Sequence, residues 1–237
     1  MQRVGNEKTW ASLRICSFKS RPAHADLLHV EIWNDGVNLA SDAGTYAYNL
    51  PRPWDNALSR TLVHNTVTVA GQDQMFRASK FLWLKRVNAQ LLSCSDSQIS
   101  ARIRVNSIHA YTHARQVIKS TKGGFKIVDD VELAGNPTSP LSVTIHWLLP
   151  DWDWKIKDDS IVLKGEKNSI LLQVTAASDG AISLVRAGAC LAGSETDPIR
   201  GWYSGTYLSK TPALSFAVQY AVEKRILIKS IWTLDQN

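Results

Sequence analysis

Ile99-Ser100-Ala101-Arg102-Ile103-Arg104-Val105 places an apolar side chain at every second position and a polar one between. Only an extended chain with one dry and one wet face has that period of two. The same alternation runs through Leu141-Ser142-Val143-Thr144-Ile145-His146-Trp147, and through Leu28, Val30 and Ile32 against His29, Glu31 and Trp33. Working outward, turn-forming clusters punctuate these runs at Asn34-Asp35-Gly36, Ala70-Gly71-Gln72-Asp73 and Asp158-Asp159-Ser160. No twelve-residue window carries a convincing apolar recurrence at i, i+3, i+4 and i+7. Many strands joined by short turns predict an all-β fold: a large antiparallel β-sandwich, supersandwich-like, with little helix, formed by residues 1–237 as one domain. Residues 187–201 read as a long surface loop.

Composition narrows the function classes. With 44% apolar and 20% charged residues the chain is far from the disordered range. It has no run of about 18 or more apolar residues, so no membrane-spanning helix is expected. The start, Met1-Gln2-Arg3-Val4-Gly5-Asn6-Glu7, carries charge where a secretory signal needs an apolar segment. The 27 Lys and Arg exceed the 21 Asp and Glu, for a net charge of +6. The basic residues are scattered singly, which argues against nucleic acid and leaves another anionic ligand open. Cys16, Cys94 and Cys190 are odd in number and widely spaced, so neither a disulfide framework nor a CxxC site is expected. They read as buried small hydrophobes.

Chemistry-capable side chains crowd the first third. His24 and Asp26 stand just before the strand pattern at 27–33, and Asp42 with Gly44-Thr45-Tyr46 just after its returning partner. A hairpin turning at 34–36 brings both to one end, about 13 Å apart if the strand stays straight at 3.3 Å per residue. The chain at Arg21-Pro22-Ala23 must bend back if they are to meet. His64 opens a further strand pattern, 64–69. Two imidazoles and a carboxylate from three strand ends suit zinc or a similar divalent ion. Hydrogen-bonded structural histidines are the alternative reading of the same residues. His29 and Tyr46, with Tyr48, are acid–base candidates. Arg60, Trp152 and Trp154 are substrate-binding candidates, joined by Asn56 and Gln74 as polar contacts. His109 and His113 lie four apart but in a loop-to-strand pattern, so solvated or hydrogen-bonded histidines are expected there rather than a metal pair.

The order of three blocks carries a resemblance. Arg21-Pro22-Ala23-His24-Ala25-Asp26-Leu27-Leu28-His29-Val30-Glu31-Ile32-Trp33, then Asp42-Ala43-Gly44-Thr45-Tyr46-Ala47-Tyr48-Asn49, then Val63-His64-Asn65-Thr66-Val67-Thr68-Val69 resemble the C-terminal β-sandwich domain of heparinase II/III-type polysaccharide lyases. Gly201-Trp202-Tyr203-Ser204 and Pro212-Ala213-Leu214-Ser215 look similar to the same family. The resemblance implies a bacterial lyase, periplasmic or secreted, that cleaves uronate-containing anionic polysaccharide by β-elimination. It implies a metal site at His24, Asp42 and His64, and an N-terminal α/α toroid that is not in this chain. Several members carry a catalytic histidine two residues before the one matching His24, where this chain has Pro22. Proline has no proton to move, and the toroid supplies the family's catalytic tyrosine and its carboxylate-neutralising asparagine. The chain alone is therefore expected to be inactive, and the alternative is a non-catalytic glycan-binding or structural β-sandwich module.

Overall fold

The strand Gln98–Val105 buries Ile99, Ala101, Ile103 and Val105 and turns Arg102 and Arg104 outward, as its period of two requires. It pairs on both sides within an eight-stranded antiparallel sheet of order Asp153–Lys157, Ser160–Lys164, Asn168–Thr175, Arg225–Gln236, Phe125–Leu133, Tyr111–Lys119, Gln98–Val105 and Ala89–Cys94. A five-stranded sheet follows the order Ala189–Ala192, Ala181–Arg186, Leu214–Val222, Leu141–Leu149 and Val67–Val69. A four-stranded sheet runs Gln2–Gly5, Thr9–Leu13, Val30–Asn34 and Val37–Ala40. The computed structural model describes every residue of the chain except Lys122, Asn136, Lys167, Glu195, Thr196 and Asn237, together with the side chains of Asp235 and Gln236.

One continuous apolar core joins the three sheets, with Val4, Leu13 and Ile32 from the four-stranded, Ile145, Phe216 and Val218 from the five-stranded, and Ile103, Ile127 and Ile228 from the eight-stranded sheet. Trp147 and Trp232 meet edge to face at 5.1 Å between centroids across it, and Trp147 Nε1 donates to Ser230 Oγ. The all-β sandwich expected from the alternation is thus the fold. Its only described helices are two single 3-10 turns, Ala57–Ser59 and Thr61–Val63.

Three local expectations are corrected. The segment 187–201 contains the strand Ala189–Ala192, hairpinned on Ala181–Arg186, and Glu195 and Thr196 within it lie outside the described residues. The strand pattern at 27–33 begins only at Val30, because Leu28 stands at φ +59° and turns the chain out of the ladder. The pattern at 64–69 is a strand only over Val67–Val69. The cysteines are also more open than expected: Cys94 and Cys190 are exposed and Cys16 half-buried, all three unpaired.

Candidate metal centre

The hairpin Val30–Asn34/Val37–Ala40 turns at Asp35 and Gly36 and delivers Asp42 beyond its far end. There Asp42 folds into an Asx turn, with its Oδ1 accepting the Gly44 N–H at 2.7 Å. Gly44 sits at φ +75° and bridges to Ser204, whose carbonyl oxygen would lie 2.0 Å from any added Cβ. Only glycine fits that approach, so the turn that aims Asp42 depends on it. Gln74 braces the other arm by mimicking a strand partner: its amide accepts from the Leu27 N–H and donates to the Leu27 carbonyl. Thr61 Oγ1 donates to the Ala25 carbonyl, and the Ala25 N–H reaches Ser59. These contacts bend the 22–28 segment back toward Asp42, as the strand arithmetic demanded.

His24, Asp26, Asp42 and His64 consequently converge, each offering one ligand atom, and these atoms all lie within 4.8 Å of one another. His64 Nδ1 stands 3.5 Å from Asp42 Oδ2. Two neighbouring ligands in a tetrahedral sphere of bonds near 2.1 Å stand about 3.4 Å apart, so this pair already has that spacing. The His24 and His64 rings lie 5.3 Å apart. Asp26, noted beside His24 in the sequence but not among the three expected ligands, is buried and held by Arg14 at 2.8 Å. His64 is wholly buried, and neither of its ring nitrogens has a hydrogen-bond partner among the described residues. A buried polar group left so costs about 1–3 kcal/mol. A cation among these four side chains relieves that cost with a nitrogen and oxygen donor set of the zinc type, so the residues fit the ion.

The electrostatics agree. Burial, reinforced by His64, lowers His24 to about 4, and burial likewise lowers His29 to about 4, so both are neutral at pH 7. Burial opposes ionisation of Asp42, but His64 and His29 more than offset it and hold the carboxyl well below its usual range. Burial also disfavours a charged His64, yet the Asp42 carboxylate overrides this and raises it. An ionised carboxylate beside a neutral His24 supplies lone pairs, and an arriving cation would displace the His64 proton.

His146 fixes the His64 backbone from behind. Its Nδ1 donates to the His64 carbonyl at 2.9 Å, and its Nε2 accepts from Ser215 Oγ at 2.7 Å. Burial keeps this imidazole neutral, and Arg200 donates in turn to Ser215 Oγ. In the sequence His146 reads as an outward residue of an alternating strand. Its strand, Leu141–Leu149, is in fact buried on both faces from Ile145 onward because the site loops cover it.

His29 is buried beside the cluster, its Nε2 3.8 Å from Asp42 Oδ2. Tyr46, at φ +61°, packs edge-on to Trp54, and Lys210 inserts its ammonium 3.5 Å from the Trp54 centroid and 3.4 Å from that of Trp202. Arg60 pairs with Asp73 at 3.2 Å and lines a cavity shared with His146 and Arg200. Neither tryptophan candidate lines that cavity. Trp152 packs on the main core against Gly165, and Trp154 is exposed on the outer strand Asp153–Lys157 of the large sheet. Asn56 and Gln74, expected as ligand contacts, are buried and bonded internally. His113 is buried against Asp129 at 2.6 Å, a hydrogen-bonded strand histidine as expected. Asp42 opens onto a cleft of about 490 Å³ walled by Trp33 and Tyr203, with Glu31, Asn38 and Asp151 along it.

The fold is that of solved heparinases. The heparinase III-BT4657 gene product matches at a TM-score of 0.74 and 17% identity over 100% of this chain and 36% of its own. Heparan sulfate lyase HepC from Pedobacter heparinus matches at 0.70 and 16% over 99% and 35%. A putative aldose 1-epimerase from Escherichia coli K12 shares the fold at 0.54 and 8% identity over 100% of this chain and 99% of its own. The chain thus spans about a third of the length of the heparinase structures. No curated protein matches it. Residues 2–229 match the family model described as heparinase II/III-like, C-terminal. This chain belongs to the heparinase II/III-like C-terminal family.

Proposed function

We propose that this β-sandwich serves a polysaccharide lyase, periplasmic or secreted, that cleaves uronate-containing anionic polysaccharide by β-elimination. Its own part is to hold a zinc-type ion at His24, Asp42 and His64, with Asp26 beside them. The observation that carries the reading is the convergence of these side chains from three family-like blocks far apart in the chain. A bound ion supplies a fixed positive charge that fastens three loop ends together.

Elimination requires a group to neutralise the uronate carboxylate, a base for the C5 proton and an acid for the leaving oxygen, each within about 3 Å of its target. Here Pro22 stands where a family base stands, His29 is buried with Nδ1 already engaged, and Tyr46 packs into an aromatic cluster. An α/α portion supplies the missing groups and docks where the Tyr48 ring lies 5.3 Å from Phe81 and 5.4 Å from Tyr207, beside an exposed Leu208. The 237-residue chain should therefore contain near-stoichiometric zinc by elemental analysis, yet form no ultraviolet-absorbing unsaturated uronate from heparan-like or alginate-like polymers. Supplying an α/α toroid should restore the chromophore. Robust chromophore from the chain alone would defeat this division of labour, and a chain that refuses zinc would defeat the metal reading.

A further inference from the structure

His29 is not one of the converging ligands, and the reason lies in its hydrogen bonds. Its Nδ1 accepts the Asn65 backbone N–H at 2.9 Å. A backbone N–H can only donate, so Nδ1 carries the lone pair and the proton of the neutral ring sits on Nε2. That N–H faces Asp42 Oδ2 at 3.8 Å and has no other partner among the described residues. To ligate an ion through Nε2 the ring would have to shed its one remaining proton. A shift of under about 1 Å instead brings Nε2–H to hydrogen-bond length from the carboxylate.

We propose that His29 is a positioning residue of the metal centre, holding the outer oxygen of Asp42 through Nε2–H; this rests on the metal reading above. Asp42 is then fixed at both oxygens, Oδ1 by the Gly44 N–H and Oδ2 by His29. The orientation of His29 is inherited from the Asn65 peptide, which follows His64 directly. That residue is itself anchored: its carbonyl accepts from Val30 N–H and Arg115, and its side chain bonds Val30, Ser41 and Leu148. The peptide that places one imidazole ligand therefore sets the tautomer of the histidine that orients the carboxylate. Groups that orient metal ligands in this way typically change affinity 10–100-fold when removed.

Two substitutions separate the ends of the ring. His29→Gln places an amide N–H where Nε2 stands and gives up the Nδ1 acceptor. His29→Asn keeps an acceptor for Asn65 N–H and has no donor that reaches Asp42. Competition for Zn²⁺ against a chromophoric chelator, on the 237-residue chain, should show His29→Asn weakened 10–100-fold and His29→Gln within about threefold of wild type. Equal weakening of both, weakening of His29→Gln alone, or weakening of neither overturns the proposal. Nitrogen NMR of the metal-free wild-type chain gives an independent reading, expected to show Nδ1 unprotonated and Nε2 protonated. The reverse assignment also overturns it. A wild-type chain that takes up no Zn²⁺ defeats the metal reading itself, whereas uptake indifferent to His29→Asn defeats only the role of His29.

Discussion

Asn65 uses every polar atom it has. Its N–H, carbonyl, amide N–H groups and amide oxygen each have a protein partner, on residues between 24 and 83 positions away. The sequence displays His64-Asn65-Thr66 as a block that points to the histidine. It does not display what the asparagine holds, because no local spacing encodes such distant partners. The histidines give a residue-scale prediction. Burial holds His24 and His29 at about 4 and lowers His113 and His146, while the unfolded chain titrates near 6.5. Between these values the unfolded state binds more protons, so stability present above pH 6.5 is lost as pH falls toward 4, by up to about 1.4 kcal/mol per pH unit for each group. His64 opposes this, since its raised value stabilises below pH 6.5 and that contribution fades as pH rises. Four groups against one leave the downward trend dominant. Urea midpoints of the chelator-treated chain should fall steadily from pH 7 to pH 4.5, and a flat profile would contradict the assignment of neutral buried histidines.

At the scale of elements, alternation identified the strands that have one wet face and overextended those that run into the site. Gln98–Val105 keeps its parity throughout. The segments at 27–33 and 64–69 lose theirs because their backbone groups are taken by side chains: the Leu27 peptide by Gln74, the Leu28 and Asn65 carbonyls by Arg115, the Asn65 N–H by His29. A ladder and a site compete there for the same donors and acceptors, and the site wins. The Asp42–Gly44 turn is the sharpest case, because Gly44 combines φ +75° with the approach of Ser204. Gly44→Ala should lower stability by more than about 1 kcal/mol, through strain the alanine cannot relieve. It should also weaken zinc binding by moving Asp42. Thermal unfolding and chelator competition on the same sample check both, and an alanine variant equal to wild type in each would show that the turn has room the geometry denies.

Across the whole molecule, the site is held from the opposite sheet. Arg115 and Asp129 are cross-strand partners on Tyr111–Lys119 and Phe125–Leu133, both wholly buried, with Nε on Oδ1 at 2.6 Å and Nη2 on Oδ2 at 3.1 Å. His113 adds a third contact to Asp129. The signal was available in the sequence, since all three polar side chains fall at the inward parity of alternating strands, a position that a solvated face never assigns. What parity cannot give is their destination. From there Arg115 reaches through the core to the Leu28 carbonyl at 2.6 Å and to the Asn65 carbonyl, in the two segments that carry His24 and His64. Two roles are separable. If Arg115 only balances Asp129, then Asp129→Leu alone should cost about 3–5 kcal/mol, through an uncompensated buried charge, and Arg115→Met with Asp129→Leu should recover most of it. If Arg115 is also the strut under both site loops, the double variant strips the Leu28 carbonyl of its donor, leaves the Asn65 carbonyl with the Val30 N–H alone, and stays about 1–3 kcal/mol below wild type. The strut further requires that zinc affinity drop in the double variant while the strand content of the circular dichroism spectrum is retained. Urea unfolding with zinc competition decides between them, and full recovery of both stability and affinity in the double variant would reduce Arg115 to a counter-charge.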